Sequence, residues 1–193
     1  TVSFADFGAK GTAGQVRVYS WNGTAWIQKG SDLIGEASGD SASSTSMSAD
    51  GNTIVVGASF NDGNGPDSGH TKAYDWTGAA WTQRSNDIDG QVAGDLSGQS
   101  VSISSDGDTM VISSPGNDSN GGNSGYVRSY SWSGAVWVAK GSPIIGEFAG
   151  DKSNSVSMSD DGNTLAIGSS GNDGNGSDSG HVRIYTWNGT AWV

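Results

Sequence analysis

Gly14-Gln15-Val16-Arg17-Val18-Tyr19-Ser20-Trp21-Asn22-Gly23 is written again, with few changes, as Gly180-His181-Val182-Arg183-Ile184-Tyr185-Thr186-Trp187-Asn188-Gly189. Two further copies lie between them, and in every copy a second Trp follows the first by five residues. The eight tryptophans thus form four doublets, Trp21/Trp26, Trp76/Trp81, Trp132/Trp137 and Trp187/Trp192, spaced by 55, 56 and 55 residues. Self-similarity at a fixed period marks a repeat architecture, in which each unit buries its apolar face against the next. Two more texts keep the same period. Ser-x-Asp-Gly-(Asn/Asp)-Thr stands at 48–53, 104–109 and 159–164, and the spacer Gly35-Glu36-Ala37-Ser38-Gly39-Asp40 returns at 90–95 and 146–151.

Each period reads as four short strands. The first, at 45–48, 100–104 and 155–159, alternates apolar residues with serine, the period of two expected of a strand. Asp-Gly at 50–51, 106–107 and 161–162 then predicts a two-residue type I′ hairpin, with positive φ at both centres. The second strand (53–58, 109–113, 164–168) carries a nearly continuous apolar core such as Ile54-Val55-Val56, which predicts burial on both faces. A loop rich in Asn, Asp and Gly leads to the third strand, at 15–21, 70–76, 126–132 and 181–187, and a turn such as Asn22-Gly23 leads to a fourth carrying the second Trp. Four short antiparallel strands in about 55 residues make a propeller blade. The expected fold is therefore all-β and β-propeller-type, with four-stranded antiparallel blades in about 3.5 repeats of about 55 residues. The division is an N-terminal partial blade at 1–30 and blade repeats at 31–84, 85–140 and 141–193. Trp and Tyr rings are expected to fill the space between blades, each burying roughly 150–250 Å².

Composition excludes several classes. With 9 Lys+Arg against 20 Asp+Glu, the net charge of −11 argues against nucleic acid as a partner, because a phosphate-binding surface needs a basic excess. The absence of cysteine removes disulfides, thiolate metal sites and thiol catalysis together. No run approaches the roughly 18 apolar residues of a membrane span, so membrane insertion is not expected. Thirty-two glycines would suggest disorder in a chain without aromatics, but the eight tryptophans argue for a packed one. The acidic residues are almost all Asp; Glu36 and Glu147 are the two glutamates.

The stretch 98–130, with Gly-Gln-Ser-Val-Ser-Ile-Ser, then Asp-Gly-Asp-Thr-Met-Val-Ile-Ser-Ser-Pro, then Gly-Tyr-Val-Arg-Ser-Tyr, resembles the FG-GAP repeat of integrin-α-type β-propellers. The likeness extends over essentially the whole chain. It departs at the Phe-Gly that opens the family's first strand, which is absent, while Gly-Ala-Pro survives as Gly57-Ala58-Ser59 or Ser113-Ser114-Pro115. The Asn-Asp-Gly-Asn-Gly loops look like the subtype found in secreted and cell-surface repeat proteins. The resemblance implies an extracellular or cell-surface propeller used for adhesion or scaffolding, and it identifies no ligand.

Aligned by period, Val193 falls on Val138 and Thr1 on Ile167. This predicts three strand sets, the last clipped, behind an N-terminal part-blade lacking its first two strands. Such a part-blade exposes a strand edge, a route to pairing between chains. The expected partners are adjoining repeats of a longer protein or other copies of the same chain, with glycans or surface proteins as further candidates.

An active site should break the repeat, and little does. His70 and His181 share one position with Gln15 and Tyr126, which reads as structural. Arg17, Lys72, Arg128 and Arg183 share another, and Lys29, Arg84 and Lys140 nearly share a third, so these cations are expected to pair across blades or with the spacer aspartates. No nucleophile elbow, zinc helix or phosphate loop occurs, and a non-enzymatic protein is expected. Ca²⁺ is the candidate metal. The loops holding Asp62, Asn64 and Asp67, then Asp118 and Asn120, then Asp173, Asn175 and Asp178 place side-chain oxygens at alternating positions, and calcium takes six to eight oxygens. The competing reading is that Asn, Asp and Gly simply make turns. Sequons at Asn22, Asn117, Asn175 and Asn188 lie in predicted turns and suit glycosylation. The expected function is a non-enzymatic extracellular module for structure or adhesion. The alternative is a lectin-like, carbohydrate-binding propeller in which the Trp doublets stack on sugars.

Overall fold

Among the described residues regular structure is entirely β, as expected of a turn-dense, aromatic-studded repeat. A computed structural model of the chain describes residues 2–6 and 13–193. The first sheet contains β1 (Val2–Asp6), β2 (Gln15–Trp21), β3 (Trp26–Gln28) and β4 (Leu33–Ile34). The second contains β5 (Ala42–Met47), β6 (Thr53–Ala58), β7 (His70–Trp76), β8 (Trp81–Gln83) and β9 (Ile88–Asp89). The third repeats this with β10 (Val101–Ile103), β11 (Thr109–Ser114), β12 (Tyr126–Trp132), β13 (Trp137–Ala139) and β14 (Ile144–Ile145). The fourth has β15 (Ser153–Met158), β16 (Thr164–Ser169) and β17 (His181–Thr186), with a bridge between Trp187 and Trp192. Every strand pair is antiparallel, and the Trp doublets face one another across the same step of each sheet.

β6 and β11 are buried on both faces, as Ile54-Val55-Val56 predicts, whereas β16 buries one face. A four-stranded sheet has two apolar faces and cannot cover either alone, so consecutive sheets stack. At seam one, Val16 and Val18 of β2 meet Ala42, Ile54, Val56 and Ala58 of the second sheet. Seam two joins Val55 and Ala73 to Val101, Ile103, Met110 and Ile112, and seam three joins Val111 and Val127 to Val156, Leu165 and Ile167. The serines of the first strands reach across to the next first strand. Ser44 and Ser46 hydroxyls accept the Val101 and Ile103 N–H groups at 3.1 Å each, and Ser100 and Ser102 do the same for Val156 (3.2 Å) and Met158 (3.1 Å). Edge N–H groups that would otherwise lack a partner are thereby satisfied.

Four expectations are corrected. β1 pairs with β2 through Val2↔Tyr19, matching Leu165↔Tyr185, so it fills the second-strand place, and the N-terminal sheet lacks one strand rather than two. The period alignment slipped because eight residues separate Asp6 from Gln15 where eleven separate Ser169 from His181; of those eight, residues 7–12 lie outside the described ones, as does Thr1. The Asp-Gly turn is not type I′. Only its glycine has positive φ (Gly51 68°, Gly107 77°, Gly162 68°). The Gly51 N–H donates to Ser48 O, and the Ser48 N–H to Thr53 O, at 2.9 Å each. Asp50 is held in place by its side chain: Oδ1 accepts the Ser48 hydroxyl (2.6 Å) and the Asn52 N–H (2.9 Å), while Ser48 Oγ accepts the Thr53 N–H (2.9 Å). This stitching requires Ser, Asp and Gly at their places, which explains why those three recur together.

The outer strand is split, because β3 and β4 both pair with β2 around a bulge at Lys29–Asp32, and the second and third sheets repeat this. Gly30 (φ 79°), Ser85 (φ 69°) and Gly141 (φ 76°) occupy the left-handed position of that bulge. Since β4, β9 and β14 belong to the sheets before them, the sheet boundaries fall inside the spacers, later than residues 30, 84 and 140.

Ile54 is fully buried and Ile184 is exposed. Urea unfolding should therefore show Ile54→Ala losing about 3 kcal/mol and Ile184→Ala staying within about 0.5 kcal/mol of the parent. Equal losses would contradict the seam as the seat of stability.

Candidate functional site

The bulge in each outer strand aims a cation at the following sheet. Lys29 donates to Gly51 O (2.5 Å) and Asn52 Oδ1 (2.8 Å), and its Nζ lies 5.2 and 5.3 Å from the Trp76 and Trp81 ring centroids. Arg84 repeats this with Gly107 O (2.7 Å), Asp108 (2.6 Å), Trp132 and Trp137, and Lys140 with Gly162 O (2.8 Å), Trp187 and Trp192. The paired rings stand 5.3 to 5.6 Å apart, tilted to one another. Trp81 Nε1 donates back to Lys29 O at 2.7 Å. Each of these three doublets is therefore a receptor for the preceding sheet's cation. Trp21 and Trp26, in the first sheet, are 52% and 47% exposed. Burial pushes the Lys29 and Lys140 ammonium groups down, partly offset by Asp50 for Lys29 and by Asp161 and Asp106 for Lys140.

The spacer aspartates do not pair with these cations, contrary to expectation. Asp40, Asp95 and Asp151 are buried. Asp95 Oδ2 accepts the Gln91 (2.8 Å) and Val92 (3.1 Å) N–H groups, and its Oδ1 accepts Asn117 Nδ2 at 3.1 Å. Asp40 with Asn61 and Asp151 with Asn172 repeat the latch. The short radius of an Asp side chain keeps it at the spacer backbone, out of reach of the third-strand cations.

Those cations use other acids. Arg17 lies 3.2 Å from Asp32. Lys72 bonds Glu36 and lies 3.4 Å from Asp87, and Arg183 bonds Glu147. At seam one His70 joins them: its Nδ1 is buried without a hydrogen-bond partner, 4.0 Å from Glu36 Oε2 and 3.8 Å from Asp87 Oδ2. Among the described residues, Glu36, His70 and Asp87 are the one group of three His, Cys, Asp or Glu side chains close enough to share a metal ion. They do not fit one, because the Lys72 ammonium already engages both carboxylates. Glu36, Asp87 and Glu147 were missed as partners in the sequence reading. The available signal was that an Asp-rich chain keeps its two glutamates at one repeat position, each 36 residues before a third-strand cation.

The loop residues considered for calcium are committed to their own turns. Asp62 Oδ1 accepts the Asp67 N–H (2.8 Å), Asp118 Oδ1 the Asn123 N–H (2.7 Å) and Asp173 Oδ1 the Asp178 N–H (2.7 Å). Asn64 and Asn120 donate their amides to the Gly90 and Gly146 carbonyls of the spacers, and the Asn175 N–H donates to Ser179 Oγ. Of the sequon residues, Asn22, Asn175 and Asn188 are exposed, whereas Asn117 is buried with its Nδ2 given to Asp95.

No protein-family model matches the chain, and no curated protein matches it. Solved structures do. A hydrazine synthase from Kuenenia stuttgartiensis is 16% identical over 93% of this chain and 42% of its own, with a TM-score of 0.58. A candidate 6-phosphogluconolactonase from Bacteroides uniformis is 13% identical over 95% of this chain and 46% of its own, at 0.62. A periplasmic gluconolactonase from Pseudomonas aeruginosa is 17% identical over 96% and 49%, at 0.57. The chain thus spans less than half the length of these structures. At such identities the likeness establishes the fold alone, and the fold is β-propeller-type.

Burial pushes the His70 imidazole below the ordinary histidine value of 6.5, and Lys72 adds to this against the pull of Asp87, Glu36 and Asp40. The unfolded chain then takes up this proton before the folded one, so the contribution is intact above pH 6.5 and is lost as pH falls below it. The Asp50, Asp106 and Asp161 carboxyls sit below 3.8, chiefly through the Ser48, Ser104 and Ser159 hydroxyls, and their contribution is lost only as pH falls below that value. Melting temperature should therefore drop between about pH 7 and 5.5, and His70→Gln should flatten that drop while leaving the steeper loss in stronger acid.

Proposed function

We propose that this chain is a non-enzymatic, extracellular repeat module of the FG-GAP type, serving adhesion or structural assembly. One observation supports this above others: the same cation, ring doublet and spacer latch recur at every seam and are used in joining one sheet to the next. The cluster at His70 carries its own counter-charge, the Lys72 ammonium on both carboxylates. Hydrolysis of a lactone by the purified chain would overturn the non-enzymatic reading.

The exposed face of the fourth sheet supports assembly. Val182 and Ile184 are 69% and 70% exposed, where their counterparts Val16 and Val18 are 0% and 1% exposed beneath the next sheet. Another sheet of the same kind, from an adjoining repeat or a second copy, is the complementary cover. Light scattering over a concentration series should show association that Val182→Lys with Ile184→Lys abolishes, and a monomer at all concentrations would remove the self-assembly reading. The exposed Trp21–Trp26 pair favours a second reading, a lectin-like module. A glycan array decides between them: a specific signal lost in Trp26→Ala, with melting unchanged, favours the lectin. Calcium and EDTA should each leave the melting temperature unshifted, because backbone donors already hold the loops.

A further inference from the structure

The pocket behind each seam is built from the same repeat positions, and the middle one has lost its acid. The third-strand cation finds a carboxylate in three sheets: Asp32 for Arg17, Glu36 and Asp87 for Lys72, Glu147 for Arg183. For Arg128 those positions are Gln91 and Pro143. Among the described residues Arg128 makes no ion pair, and its buried Nε finds no hydrogen-bond partner. Its Nη1 reaches Tyr126 Oη at 3.4 Å, and its guanidinium carbon lies 5.6 Å from the Tyr130 ring centroid. Asp89 shares the lining, but its carboxylate lies beside Gly63, where an added Cβ would stand 3.3 Å from Oδ1.

Space accompanies the missing charge. The seam-two cavity, lined by Gln91, Ser97, Ser114, Tyr126, Arg128 and Tyr130 among others, measures about 50 Å³, against about 10 Å³ at seams one and three. The smaller volume holds roughly one water, the larger several waters or one carboxylate-sized anion. Donors converge on it. Tyr126 Oη accepts from Gln91 Nε2 (2.9 Å) and from Arg128, so its own proton remains to be donated. A guanidinium edge matches the two oxygens of a carboxylate, and leaving its buried Nε without an acceptor is unfavourable.

We propose that seam two binds a small carboxylate anion beside Gln91, which bonds Arg128 and Tyr126 and supplies the negative charge that Glu36 and Glu147 supply at the sister seams. The site is independent of whether the chain serves adhesion or sugar binding. Free organic acids and carboxylate-bearing sugars share the chemistry, so both are tested.

Acetate is titrated into the intact chain at constant ionic strength, following the Arg128 Nε–H resonance and the melting temperature. A saturable shift of that resonance with a rise in melting temperature is expected. Gln91→Glu builds in the sister seams' carboxylate; it should weaken acetate binding about tenfold or more and raise the melting temperature without acetate. Arg128→Gln should abolish the response, and if that variant fails to fold, Gln91→Glu alone decides. A saturable response to glucuronate in place of acetate also supports the site and assigns the carboxylate to a sugar. No saturable shift with either probe, an equal response from chloride, or undiminished binding by Gln91→Glu would overturn the proposal.

Discussion

A sheet of short strands with two apolar faces is stable only when both faces are covered, and everything in this protein follows from how consecutive sheets cover one another. Ile54 and Val56 face seam one while Val55, between them, faces seam two. A single strand therefore links two cores, and no sheet is an independent folding unit. The same dependence explains the fourth sheet: Ala166 is only half-buried where Val55 and Val111 are fully buried, because nothing described packs over it.

Apolar burial is non-directional, so polar groups set the angle and spacing of the sheets. Serine hydroxyls bond the N–H groups of the next first strand, buried Asp–Asn pairs fasten spacer to loop, and bulge cations lie over the following Trp doublet. The serine and cation contacts join one repeat to the next, whereas the Asp–Asn pair fixes the spacer to the loop of its own repeat. A buried Asp is tolerable because backbone N–H groups and an Asn amide surround it. The net charge of −11 is spread over turns and spacers, which leaves the few cations free to act as ties between sheets.

Much of the site was legible once the repeat was recognised, because equivalent positions must meet equivalent surroundings. The shared place of Arg17, Lys72, Arg128 and Arg183 was visible, and so was the isolation of Glu36 and Glu147 among aspartates. Their meeting was not. Glu36 and Lys72 are 36 residues apart, one in the spacer that follows the first sheet and the other in β7 of the second, and only the fold brings them into contact. The vacancy of charge at Arg128 is likewise a difference between copies, meaningful only when the spatial partners of the other copies are known.

Period and all-β class were determined by the sequence alone, since they depend on spacing and on alternation along one strand, whereas the splitting of the outer strand was not. Sheet boundaries, the form of the Asp-Gly turn and the pairing of every charge were decided by tertiary structure. The physical reason is reach. Hydrophobic pattern acts within a strand, whereas the bulge at Gly30, the stitching of Ser48 to Thr53 and the contacts of His70 depend on side-chain directions set by neighbouring strands and sheets.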